Sequence, residues 1–146
     1  MRHYIYIVMS LMLTCVALSC DKSDDVSEIF TNQNFKITGI TFDGIKVVKE
    51  VSEFYAGDGV YWLTFSEQTL HGVLQADVAI DGSWHADGKG RNLTINITRP
   101  NTTTGMSELC RKVYGILRDA TAYSGDKNVI RIYKTSDTYI DLSSMK

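Results

Sequence analysis

Residues 92–118 read NLTINITRPNTTTGMSELCRKVYGILR, and a change of period inside this stretch decides the fold. Leu93, Ile95 and Ile97 alternate with Thr94, Asn96 and Thr98. Period two marks a strand with one buried and one wet face, as in an antiparallel sheet. Pro100 cannot donate to a ladder and ends the strand. Beyond it Met106, Leu109, Cys110, Val113 and Leu117 recur at spacings of three and four, with Glu108, Arg111, Lys112 and Arg118 between them. That spacing predicts one amphipathic helix over residues 105–119. Thr104 is the expected N-cap, and Glu108 and Arg118 sit where the helix dipole favours acid and base.

Outward from this stretch the chain reads as strands and turns. Phe35, Ile37 and Ile40 predict a first strand, Asp43-Gly44 a turn, and residues 45–51 a second strand. VYWLTF, residues 60–65, predicts a buried strand. Residues 70–80 predict a longer strand bent at Gly72, with Asp81-Gly82 as a tight hairpin and Trp84 on the strand after it. Downstream of the helix, residues 121–123, Val129 to Tyr133 and Tyr139 to Leu142 predict the closing strands. The fold expected is therefore mainly β with one α-helix (α+β). It is an antiparallel curved sheet or partly closed barrel with the helix over one end or face.

The N-terminus decides the address. MRHYIYIVMSLMLTCVALSCDKSDD, residues 1–25, has a charged start at Arg2-His3, an apolar run from Tyr4 to Leu18, and small residues before Cys20. The run has the length of a signal h-region and falls short of the roughly 20 residues a spanning helix needs. It resembles a bacterial lipobox, with residues 1–19 as the signal peptide and Cys20 as the lipidated first residue of the mature chain. Asp21, Asp24 and Asp25 resemble the acidic export signal of Bacteroidota surface lipoproteins. The expectation is a lipid-anchored, surface-exposed protein of the outer membrane, with residues 20–34 as an acidic tether and residues 35–146 as a β-rich domain. More than one acyl chain makes such an anchor effectively permanent.

Composition bounds the chemistry. Formal net charge is −2 at pH 7, and removing Arg2 with the signal makes it one unit more negative. No basic stripe argues for nucleic acid. Of three cysteines, Cys15 leaves with the signal and Cys20 carries lipid, so Cys110 alone remains and no internal disulfide is expected. Cys110 falls on the apolar stripe of the helix, as a core residue rather than a nucleophile. His71 and His85 with Asp77, Asp81 and Asp87 show no standard ligand spacing, and no metal or cofactor is expected. There is no Gly-x-Ser-x-Gly elbow for an acyl-transfer triad. The acids lie mostly beside glycines, where Asp forms turns, so no catalytic residue is assigned and the chain is read as no enzyme. The most promising binding feature is aromatic: Tyr55, Tyr61, Trp62 and Trp84, with Phe54, could line a barrel mouth.

Four stretches resemble the META domain, the family of heat-shock-associated HslJ-type lipoproteins. They are Leu63-Thr64-Phe65 with His71-Gly72, then Asp81-Gly82-Ser83-Trp84, then Leu93-Thr94-Ile95, then Thr104-Gly105-Met106 leading into the helix. The family's two cysteine positions are filled here by Ala76, within Gln75-Ala76-Asp77, and by Glu108. The resemblance implies an envelope- or stress-associated β domain without a defined catalytic activity. Lipocalin-like barrels share a β-barrel with a late helix. Their first-strand Gly-x-Trp is absent, and Phe35-Lys36-Ile37 stands in its place. The function expected is non-enzymatic binding of a protein partner in the envelope. The alternative is a small-molecule or glycan-binding module built on the aromatic group. The two differ in whether Trp62 and Trp84 line a cavity or fill the core.

Overall fold

The computed structural model describes residues 24–47 and 59–145. The signal residues 1–19, Cys20, Phe54 and Tyr55 lie outside the described residues, as does the second half of the strand expected at 45–51.

Among the described residues, helix α1 (Asp24–Phe30) comes first, followed by β1 (Gln33–Phe42), β2 (Ile45–Lys46), β3 (Trp62–Phe65), β4 (Thr69–Gln75), β5 (Val78–Asp87) and β6 (Asn92–Arg99). Helix α2 (Glu108–Arg118) then precedes β7 (Ala122–Gly125), β8 (Val129–Thr135) and β9 (Thr138–Ser144). Strands β1 and β3 to β9 are neighbours in chain order, and β9 returns to pair with β1. Every pairing is antiparallel. The result is an eight-stranded closed up-and-down barrel, with β2 a short flap hairpinned onto β1. Closure removes the sheet edges that an open meander would expose.

At eight strands a barrel interior is just wide enough for side chains to fill. Phe35, Ile37, Leu63, Phe65, Leu74, Ile80, Ile130, Ile132, Ile140 and Leu142 are all fully buried. Alternation puts the intervening residues outside, as on β6, where Leu93 and Ile95 are buried and Thr94 and Asn96 are exposed.

The two helices plug opposite ends. Register puts Phe65, beside Leu70, and Trp84, beside Ile95, towards one end, and Gln75, Arg99 and Phe42 towards the other. Helix α2 crosses the second end. Its N-cap Ser107 takes its own N–H to Gln75 Oε1 on β4, 3.0 Å, and Asp119 just past its end meets Lys134 Nζ on β8, 2.9 Å. It buries Leu109, Cys110, Val113, Tyr114, Ile116 and Leu117. The cap differs from the expected Thr104: Ser107 Oγ accepts from the Cys110 N–H at 3.1 Å. Gly105, at φ +84°, turns the chain first, and the Thr102 and Thr104 hydroxyls bond each other at 2.9 Å instead.

Helix α1 plugs the first end and corrects the expected tether. Within residues 20–34, Asp24–Phe30 is helical, Ile29 and Phe30 are buried, and β1 already starts at Gln33. Phe30 sits 5.1 Å from Phe65, 5.1 Å from Trp84 and 5.0 Å from Tyr123, ring centroid to centroid. The domain thus starts about ten residues earlier than the polar composition suggests, because two apolar side chains suffice to seal a narrow barrel end.

The hairpin expected at Asp81-Gly82 is also corrected. The turn falls at Ala76-Asp77, and Asp81-Gly82 lies inside β5 at a register shift against β6. A Cβ at Gly82 would lie 2.3 Å from the Asn96 carbonyl oxygen, so this glycine serves a close backbone approach, not a turn. Asp43-Gly44 is a turn as expected, with φ of 51° and 76°.

Candidate functional site

Of the aromatic residues expected to share a mouth, the described Tyr61, Trp62 and Trp84 are not brought together. Strand alternation sends Leu63 and Phe65 inward and leaves Trp62 half-buried on the outer surface. There its indole N–H donates to the Gly59 carbonyl at 3.2 Å, and its ring meets His71 edge-on at 5.4 Å. Tyr61 is buried in the left-handed region, φ 54°. Trp84 is 8 % exposed, packs on Phe30 and Phe65, and donates its indole N–H to the Ser66 carbonyl at 2.8 Å. That hydrogen bond satisfies the one polar atom of a buried Trp. Trp84 therefore belongs to the core, and Trp62 to the exterior some strands away.

A groove does open beside Trp84. It has a volume of about 700 Å³ and runs between α1, the β3–β4 turn and the lower half of β5, with Thr31, Gln68, Ser83, His85 and Asp87 on its walls. The edge of Trp84 forms part of its floor. The volume lies within the range of small-ligand sites. The polar walls offer both donors and acceptors, and Asp87 is occupied in its turn by the backbone N–H groups of Lys89 and Gly90, 3.0 and 3.1 Å.

The titratable residues sort by position. His71 Nδ1 lies 2.6 Å from Asp81 Oδ1 on the outer face of β4 and β5, both side chains about half exposed. His85 is exposed on β5 at the groove. Among the described residues no three His, Cys, Asp or Glu side chains gather as a metal-binding group. Cys110 is fully buried in α2, and burial pushes its thiol up to about 11. A thiol so placed is protonated at neutral pH and shielded from reagents. On the outer face of β8 and β9, Arg131 Nε pairs with Asp141 at 2.7 Å and its guanidinium lies 4.0 Å over the Tyr139 ring. This arrangement fastens the β8–β9 hairpin, in which Arg131 and Asp141 are register partners.

A second groove, of about 230 Å³, lies at the α2 end between Phe42, Arg111, Lys112, Gly115, Ile116 and Lys134. No sequence pattern pointed to it, because Phe42, α2 and Lys134 come from three separate parts of the chain.

Comparison with known proteins bears on family and fold. The family profile described as Domain of unknown function (DUF4847) matches residues 21–143. The crystal structure of a DUF4847 family protein from Bacteroides vulgatus superposes with a TM-score of 0.62 at 24% sequence identity, covering 81% of this chain and 96% of that one. A search among curated proteins gave no match.

Proposed function

The chain belongs to the DUF4847 family, and on that premise we propose that it is a lipid-anchored cell-envelope domain that binds a protein partner through its outer surface and catalyses no reaction. The observation that carries this reading is the filled interior. Trp84, Phe30 and Phe65 close the space in which a lipocalin-like barrel would hold a ligand. Recognition then falls to the exterior, where a groove opens beside Trp84.

The anchor suits this role. Lipidation of Cys20 leaves residues 21–23 between the membrane and α1, a span of at most about 14 Å. The α1 end of the barrel, with its groove, is then held close to the membrane. A partner there would be a membrane-bound or membrane-proximal protein of the outer leaflet. The META resemblance belongs to this proposal too, as a reading of envelope association.

A second reading places a glycan in the same groove. It is favoured by the Trp84 edge beside Ser83 and Gln68, the combination of apolar face and hydrogen-bonding rim that sugars need.

Gentle purification of the tagged full-length protein from its own membrane, with mass spectrometry of what stays bound, separates the readings. A stoichiometric protein partner supports the first. A retained glycan or small molecule with no protein supports the second and overturns the first.

A further inference from the structure

We propose that the groove at the α2 end is a binding site for a phosphate-type oxyanion, either a free phosphate or the phosphate of a larger molecule. Its walls carry three cations, Arg111, Lys112 and Lys134, in a chain whose net charge is negative. Lys112 pairs with Glu108 at 3.0 Å and also lies over the Phe42 ring, 5.7 Å from its centroid. Lys134 pairs with Asp119 at 2.9 Å, and Asp119 is shared with Arg118 at 2.8 Å. Arg111 has no side-chain partner among the described residues, and its fork of donors matches the oxygens of a phosphate.

A second observation is independent of charge. Gly115 lies inside α2 and lines the groove. Glycine is a poor helix residue, yet a Cβ at Gly115 would meet no heavy atom within 4 Å. Packing therefore does not require it. What its missing side chain does is keep the groove open. The opposite wall is fixed: the Asp43 N–H donates to Thr138 Oγ1 at 3.0 Å and the Gly44 N–H to the Asp137 carbonyl at 2.8 Å, which holds Phe42 in place.

The volume of about 230 Å³ is below that of drug-sized sites, and suits an anionic group rather than a whole large ligand. If the proposed anchoring holds, this end faces away from the membrane, which favours a soluble anion over a headgroup of that membrane.

The test is calorimetric titration of the detergent-solubilised full-length protein with inorganic pyrophosphate, and separately with dihexanoyl phosphatidic acid below its micelle concentration. The proposal expects saturable one-site binding of at least one probe, weakened at low salt by fivefold or more in Arg111→Gln. Gly115→Ala should raise the melting temperature while weakening binding to a similar degree, a pairing that a merely structural glycine would not give. Lys127→Gln, at the opposite end of the barrel beside α1, should bind as wild type. Tighter binding of the lipid probe identifies a headgroup, and tighter binding of pyrophosphate a soluble anion. Binding of neither probe, or equal binding by wild type, Arg111→Gln and Gly115→Ala, overturns the proposal. The result does not depend on whether Cys20 is lipidated.

Discussion

Phe30 and Trp84 lie with ring centroids 5.1 Å apart, which ties α1 to β5 and closes one end of the barrel. The contact makes residues 24–30 part of the fold. Phe30 is fully buried among Phe65, Trp84 and Tyr123. Phe30→Ala should therefore cost about 3–5 kcal/mol in urea unfolding, the range for large aromatic deletions in a core. A true tether residue would cost nothing measurable there.

Asp119 gives a pH signature. Hydrogen bonds from Arg118 first, and from Lys134 second, hold its carboxyl well below the usual carboxylate range. A depressed folded-state value means stability present above the unfolded value, about 3.9, and lost as pH falls below it. The side chain is a third exposed, so solvent screening limits the effect to about 1 kcal/mol or less. Asp119→Asn should be less stable than wild type above about pH 5, and the gap should shrink on acidification below about pH 4. Urea midpoints measured from pH 3 to pH 7 check this, and a gap that widens in acid would contradict it.

Cys110 should be silent in the native state. Its buried thiol, pushed up to about 11, should resist a thiol-reactive dye at pH 7.5 and react once the chain is unfolded in urea. Fast labelling of the native protein would mean that α2 opens far more readily than its packing implies.

The fold was legible where sequence and local physics agree. Leu93, Ile95 and Ile97 announced β6, and Leu109, Val113 and Leu117 announced α2, because each pattern reflects one buried face of one element. Closure was not legible. The β1–β9 pairing joins Phe35 to Ser144 across nearly the whole domain, and no local pattern encodes it. Helix α1 escaped notice because only Val26, Ile29 and Phe30 interrupt a polar run. Asp81-Gly82 has the composition of a hairpin, but its glycine answers to the backbone of β6 opposite. The four stretches that resemble the META domain fall on β3–β4, β5, β6 and the turn before α2. For the site, the sidedness of the aromatic residues depended on register. Trp62 and Trp84 ended on opposite sides of the barrel wall, and the basic groove drew on distant segments that no single stretch revealed.

The proposed function requires a solid barrel that would meet a partner from outside. The most direct test is urea unfolding of Trp84→Ala beside Trp62→Ala. A loss of about 3–5 kcal/mol is expected for Trp84→Ala and about 1 kcal/mol or less for the half-buried Trp62→Ala. A Trp84→Ala protein as stable as wild type would contradict a filled interior, because a side chain that packs on Phe30 and Phe65 in a solid core cannot be removed without cost.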